Sequence, residues 1–271
     1  MDTITSQSNP RIKQMRALQQ RKGRDARGLF LVEGIHHVGE AVESGAQIEC
    51  LCYAPERLDS SFALSLIQQQ AAQGIPCYET TSDVFSSLAE KENPQGILAV
   101  VRQRRVSLAD VSPHNLGWGV ALVAPQDPGN VGSILRTIDA VGAGGLLLLD
   151  SGVDAYHSTA VRASMGAIFW YPVVSATFAA FAAWVKQHAY HVLGTSARGP
   201  SDYTTADYTR PLVLLMGSER EGLSSEQAAI CQQVVRLPML GRASSLNLSV
   251  ATGVMLYAML EKMGRRRDGG G

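Results

Sequence analysis

The chain has 271 residues, 45% of them hydrophobic, and 24 basic side chains against 24 acidic ones, which suits a globular protein of two ordinary domains. The long uncharged run around the last helix (243–260) carries Ser, Asn and Thr throughout, MDTITSQSNPRIKQ has no apolar leader, and Cys50, Cys52, Cys77 and Cys231 form no CxxC pair, which argues against a membrane span, a secretory signal and structural zinc. The expected protein is cytoplasmic, with no metal and no membrane partner.

The neutral total hides a segregated charge. Residues 1–27 carry seven Lys and Arg against two acids, whereas residues 28–101 carry two against ten. Basic character returns in Arg102, Arg104 and Arg105 and in the run Arg265, Arg266, Arg267. A cationic segment of this kind suits phosphate contact, with release of counterions, and equally suits a solvated amphipathic helix. Within it, SNPRIKQMRALQQRKGRDARG (8–28) opens on a capping Ser or Asn before Pro10 and spaces Ile12, Met15 and Leu18 as one helix. A strand at 28–34, a helix at 36–45, a strand at 48–54 and a helix at 62–74 follow. A strand-like stretch at 75–80, a helix at 82–90 and a strand at 96–103 complete a small α/β domain over residues 1–105. Composition then shifts and Pro113 appears, so residues 106–115 are the expected linker.

A second α/β domain, 116–271, begins with the continuous apolar strand 119–125 and the helix 130–144. The strand 145–150 and helices 158–169 and 178–189 come next. Strands at 191–197 and 211–219, a helix at 224–233 and a strand at 234–239 lead to a last helix from Leu248 to Leu260. That helix is apolar nearly all round, apart from Ser249 and Thr252, which points to burial on several sides, in a core or against a second subunit.

Ligands of parallel α/β sheets lie beyond the carboxyl ends of the strands, where three unusual loops fall: APQDPGNVGSILR, MGSEREGLS and LPMLGRASSLN. In the first, Gly129, Asn130 and Gly132 permit a tight turn before a helix whose start can hold an anion, and Arg136 can reach back towards a phosphate. A Gly-rich turn beside a surface Arg is the plainer reading. Neither a Gly-Lys-Ser/Thr loop nor GxGxxG is present, which argues against nucleotide triphosphate hydrolysis and ordinary dinucleotide binding. Glu219, directly after a buried strand, either complements a helix dipole or orients a hydroxyl or an Arg. Thr195-Ser196-Ala197 forms another strand-end edge. Ser244, Ser245 and Asn247 either cap the last helix or hold the polar atoms of a ligand.

In this order three motifs resemble the SpoU/TrmH branch of the SPOUT superfamily of RNA 2′-O-ribose methyltransferases. They are Asp127-Pro128-Gly129-Asn130-Val131-Gly132 with Arg136-Thr137; Gly217-Ser218-Glu219 with Gly222-Leu223-Ser224; and Leu237-Pro238-Met239 with Gly241 and Ser244-Ser245-Leu246-Asn247-Leu248-Ser249-Val250-Ala251. GLFLVEG (28–34), Glu40-Ala41 and Ser44-Gly45 resemble the family's N-terminal RNA substrate-binding domain. The resemblance implies an α/β protein: a small L30e-like α/β domain, then a SPOUT α/β domain with a mostly parallel sheet and a trefoil knot that forms the cofactor cleft. It implies S-adenosyl-L-methionine held by Thr195, Ser196, Ala197, Gly217, Leu237, Met239, Ser245 and Leu246. Catalytic roles fall to Arg136, Asn130, Glu219 and Asn247. RNA contacts are expected from Arg11, Lys13, Arg21, Lys22, Arg24, Arg27 and Arg220. A homodimer is implied, with active sites completed near the subunit interface. Large-subunit (23S-type) ribosomal RNA is the expected substrate. The alternatives are transfer RNA, methylation of a base nitrogen, or a catalytically silent RNA-binding module of the same fold. Two departures stand out: Ser218 where the family usually has Asn, and Arg220 where it often has Gly. Ser still donates and accepts a hydrogen bond, so the pocket is expected to survive.

Overall fold

The computed structural model describes residues 3–268 other than 91 and 151, with side chains as far as 264. The basic run at 265–267 therefore has its side chains outside the described residues. In chain order the elements are α1 (Pro10–Ala17), α2 (Arg21–Arg27), β1 (Leu29–Glu33), α3 (Ile35–Glu43), β2 (Ile48–Tyr53), α4 (Ser61–Ala72), β3 (Cys77–Glu79), α5 (Ser82–Ser86), β4 (Ile97–Arg102), β5 (Trp118–Val123) and α6 (Pro128–Val141). There follow β6 (Leu146–Leu149), α7 (Ser158–Ala163), α8 (Ala167–Trp170), β7 (Val173–Ala176), α9 (Phe178–Gln187), β8 (His191–Thr195), β9 (Ser201–Asp202), β10 (Leu212–Met216), α10 (Ser225–Ala229), β11 (Gln233–Arg236) and α11 (Leu248–Asp268). They form two compact units, Met1–Arg104 with Tyr156–Trp170, and Arg105–Ala155 with Tyr171–Gly271.

The first unit is built on a four-stranded sheet in the order β1-β4-β2-β3, antiparallel except for β2 and β3. Ile12, Met15 and Leu18 are buried with Cys52, Phe85, Leu98 and Val100 in one apolar cluster. The single helix expected over 8–28 is instead two. Asn9 Oδ1 accepts from the Arg11 amide at 2.9 Å and Pro10 occupies the first turn, so α1 starts as expected. It stops at Ala17 because the Arg24 guanidinium turns inward, 3% exposed, and donates to the Leu18 and Gln19 carbonyls, both at 2.8 Å. Those carbonyls belong to the cap residue of α1 and to the turn that follows it, and the planar fork suits them. Gly23 permits the approach, since a Cβ there would stand 1.9 Å from the Ala17 carbonyl oxygen.

The helix expected over 158–169 is likewise broken, because Met165 and Gly166 take φ of 50° and 100°. A Cβ on Gly166 would lie 2.6 Å from Glu40 Cγ, a clash invisible from local periodicity. The whole segment is held within the first unit. Trp170 Nε1 donates to Glu40 at 2.9 Å, and Ser158 and Arg162 donate to Glu90. The His36 and His37 rings lie 3.3 Å from the Met165 and Arg162 carbonyls.

The second unit is a seven-stranded sheet in the order β7-β6-β5-β10-β8-β11-β9, every neighbouring pair parallel. Every residue of β5, β6 and β10 is buried, as a parallel sheet covered on both faces requires. On one face Ala121, Val123, Leu147, Leu149, Val213 and Leu215 pack with Phe181 and Trp184 of α9. The stretch 106–115 belongs to this packing rather than forming a slack connection: Val106 bridges to Val174, Val111 is 3% exposed, and Trp184 Nε1 donates to the Val111 carbonyl. The helix expected over 224–233 shrinks to the five residues of α10. Finally, α11 packs against α6 and buries Leu248, Thr252, Met255, Leu256, Met259 and Met263. Its other face is open: Val250, Val254, Tyr257 and Leu260 are 38–54% exposed, so burial all round does not hold within one chain.

Candidate functional site

The strands β5, β10, β8 and β11 are neighbours and run the same way, so their carboxyl ends stand side by side. The loops beyond them are tied together by specific bonds. Thr195 Oγ1 donates to Met216 Sδ at 3.3 Å, joining the ends of β8 and β10. The Ser196 amide donates to the Val235 carbonyl at 2.9 Å, and Arg236 donates to the Gly199 and Pro200 carbonyls at 2.8 and 3.0 Å. Glu219 Oε1 accepts from the Gln126 amide and from Asn130 Nδ2, each at 3.4 Å, which joins the loop after β5 to the loop after β10.

The loop after β10 is a tight hairpin. The amides of Ser218 and Gly222 each donate to the other's carbonyl, at 3.1 and 3.0 Å, and the Glu221 amide donates to Ser218 Oγ. Gly222 takes φ +70°, and Gly217 packs so closely on it that a Cβ would lie 2.1 Å from the Gly222 carbonyl carbon. The start of α11 is fixed by Asn247, whose Oδ1 accepts from the Ser249 amide at 2.8 Å and from Ser249 Oγ at 2.7 Å. The capping reading of Asn247 therefore holds, and the residue also reaches the site described next.

The loops after β8, β10 and β11, with the start of α11, enclose a cleft of about 910 Å³. All eight residues expected to hold a cofactor line it: Thr195, Ser196, Ala197, Gly217, Leu237, Met239, Ser245 and Leu246. Of the expected catalytic set, Glu219 and Asn247 line it. Asn130, 7% exposed, stands behind the wall and braces Glu219. Arg136 is on α6, exposed, and outside the lining. Arg220 is at the cleft as well. Arg198, Met216 and Glu221 complete the charged and apolar wall but carry no sequence signature of their own; their one cue is position, directly beside a strand end.

The cleft divides chemically. Thr195, Ser196, Ser244, Ser245 and Asn247 offer hydroxyls and an amide, while Leu223, Leu237, Met239, Leu246 and Leu248 offer apolar surface. Its size falls within the usual range of small-molecule sites. That donor set fits S-adenosylmethionine: apolar walls for an adenine, hydroxyls and backbone for a ribose, and Arg198 or Arg220 for a carboxylate. Among the described residues no group of His, Cys, Asp and Glu is arranged to hold a metal ion, and no helix is long and apolar enough to cross a membrane.

In the first unit Arg11, Lys13, Arg21, Lys22 and Arg27 are exposed. Arg11 lies 4.5 Å over the Tyr78 ring, and Arg21 pairs with Asp25 at 3.5 Å. Arg24 leaves the RNA-contact set, because its guanidinium is consumed as a helix cap inside the fold.

Residues 118–257 match the SpoU rRNA Methylase family and residues 9–99 match the MRM3-like substrate binding domain. The 23S rRNA (uridine(2479)-2′-O)-methyltransferase of Streptomyces viridochromogenes is 34% identical over 94% of this chain and 90% of its own. The 23S rRNA (guanosine(2553)-2′-O)-methyltransferase RlmP of Bacillus subtilis (strain 168) is 30% identical over 95% of this chain and 98% of its own. Among solved structures, the AdoMet-bound rRNA methyltransferase from Sinorhizobium meliloti superposes with a TM-score of 0.88 at 36% identity, covering 97% of this chain and 98% of that one. The SpoU methyltransferase AviRb from Streptomyces viridochromogenes, in complex with AdoMet, superposes with a TM-score of 0.83 at 31% identity, covering 94% and 98%. With the second and third motifs lining one cleft, the first motif braced against it through Glu219, and both units matched, the chain belongs to the SpoU rRNA methylase family.

Proposed function

We propose that this protein methylates a ribose 2′-hydroxyl of 23S-type ribosomal RNA, using S-adenosyl-L-methionine. The observation that carries the reading is the convergence of the eight expected cofactor residues, drawn from separate strand-end loops, on a single cleft. When bound, S-adenosylmethionine supplies an electrophilic sulfonium methyl. The reading includes the family's trefoil knot around the third motif.

The chain's own residues then have distinct tasks. Thr195, Gly217, Leu237, Met239 and Leu246 fix the cofactor against the strand ends, and holding both reactants in attack geometry supplies several kcal/mol, on the order of 7. Glu219, whose position the Gln126 amide and Asn130 set, takes the proton lost from the hydroxyl, directly or through water. Arg136 is a poor base, since guanidinium does not deprotonate in proteins. Exposed on α6, it clamps the phosphate next to the target ribose and stabilises the developing negative charge.

The protein acts as a homodimer. Val250, Val254, Tyr257 and Leu260 form an exposed apolar stripe along α11, and such a face is normally covered. Sedimentation of Val254→Arg is expected to show monomer where the wild type shows dimer.

The activity is tested by incubating 23S rRNA transcripts with methyl-labelled cofactor, digesting to nucleosides and checking for alkali-resistant linkages. Label in 2′-O-methylnucleosides is expected. Label on a base nitrogen, or cofactor binding without transfer, overturns the reading. Arg136→Ala is expected to slow transfer by about 100-fold, leaving cofactor affinity unchanged.

A further inference from the structure

The first unit holds a second cavity, of about 380 Å³, with a lining unlike that of the cofactor cleft. Its floor is aromatic and apolar: Phe30 on β1, Tyr156 ahead of α7, and Ile168 and Phe169 on α8. Phe30 is 1% exposed, and its ring centroid lies 4.7 Å from that of Tyr156 and 6.2 Å from that of Phe169. The Tyr156 hydroxyl donates to the Arg104 carbonyl at 2.7 Å, which fixes that ring. Tyr156 and Phe169 are only half-buried, so part of each ring stays open to the cavity.

The rim is polar and basic. Gln47, Arg102, Gln103 and Arg104 border the cavity. Arg102 is paired with Glu49. The side chains of Gln47, Gln103 and Arg104 have no hydrogen-bonding or ionic partner among the described residues. The backbone at Gly45, on the same rim, takes φ +72° and has open space where a Cβ would stand.

An apolar slot with aromatic walls, amide groups at its mouth and a free guanidinium beside them matches a nucleobase carrying its phosphate. Aromatic faces stack any base, amides both donate to and accept from base edges, and guanidinium grips phosphate in a planar fork. We propose that this cavity takes one unstacked base of the substrate RNA, stacked on Tyr156 and Phe169, read at its edge by Gln103 or Gln47, with the adjoining phosphate on Arg104. The proposal rests on the reading of the protein as an RNA methyltransferase and deepens it: a base inside a continuous duplex cannot enter, so the substrate presents a single-stranded loop or bulge to this unit.

The test uses a short oligouridylate with a central 5-iodouridine, free or paired to its complement. Irradiation is expected to cross-link the single-stranded oligomer to Tyr156 or Phe169, located by peptide mapping, and to spare the duplex. A variant combining Gln103→Ala and Arg104→Ala is expected to bind the single strand about tenfold more weakly, with its melting temperature and cofactor affinity unchanged. With ribosomal RNA as substrate, KM rises and kcat is kept. Arg104→Lys, which keeps the positive charge, recovers part of the affinity. Cross-links confined to other residues, single-strand binding within twofold of wild type, or an equal loss for duplex and single strand would each overturn the proposal. Those failures with methyl transfer intact remove the cavity alone. Absence of methyl transfer to any RNA removes the proposed function, and the cross-link still decides the cavity.

Discussion

Replacing Gly217 with Ala tests whether the hairpin after β10 is a rigid wall of the cofactor cleft. The added methyl would lie 2.1 Å from the Gly222 carbonyl carbon, 2.4 Å from the Leu223 amide nitrogen and 2.5 Å from the Gly222 oxygen. Ordinary contact begins at 3.4 Å, so the hairpin must retreat by more than about 1 Å, and every obstacle is backbone rather than a side-chain tip that could swing aside. Overpacking of this kind costs about 1–3 kcal/mol. In a unit of this size that lowers the melting temperature by roughly 2–10 °C. The larger consequence is local, because a displacement of about 1 Å at a reacting site can cost about 100-fold in rate. Calorimetry with S-adenosylmethionine and a methyl-transfer assay are expected to show an affinity weakened at least about tenfold and transfer reduced further. Gly241→Ala is the control, since nothing lies within 4 Å of its Cβ position and its φ is unrestrictive. Cofactor affinity within twofold of wild type for Gly217→Ala would refute the rigid-wall argument.

Asn247→Ala removes the acceptor that caps α11 and is expected to cost about 1–2 kcal/mol, seen as a lower melting temperature that Asn247→Asp largely restores. Arg24→Ala leaves the Leu18 and Gln19 carbonyls without their partner and is expected to cost about 1–3 kcal/mol in thermal unfolding. Lys13→Ala, by contrast, should leave stability alone and weaken RNA binding; the reverse pattern would return Arg24 to the RNA-contact set. Burial pushes the Cys50 and Cys52 thiols up to about 12 and the Cys231 thiol up to about 11, from an ordinary 9.0. The unfolded chain thus loses these protons first, so the thiols' contribution is complete below pH 9 and is lost as pH rises towards 12. Urea titrations from pH 8 upwards should show the decline, and Cys231→Ala should reduce its slope.

What was legible in the chain is what short-range pattern encodes. The strands β5, β6 and β10 are buried throughout and read as unbroken apolar runs, and Gly74 marks a helix end that the fold keeps, whereas the helix expected to reach 144 stops at Val141 with Gly142 as its cap. The cleft was readable because its residues sit in strand-end loops dense in Gly, Ser and Asn. What was hidden depends on distant partners. Arg24 reads as a surface cation until its guanidinium is seen capping α1. Gly166 is tolerated in a helical pattern, and only Glu40, far away in the chain, shows why the helix breaks there. Arg198 and Glu221 belong to the cleft solely because β10, β8 and β11 end side by side.

The chain passes from one unit to the other three times, after Arg104, after Ala155 and after Trp170. Neither unit is therefore a single stretch of the gene. A fragment ending at residue 104 would lack Tyr156 and Phe169 and leave the Phe30 ring bare, so it would be a poor stand-in for the unit it came from. Grafting this unit onto another methylase means transplanting residues 156–170 along with the first 104. Recombination with one breakpoint cannot exchange it cleanly, which ties the inheritance of the two halves together.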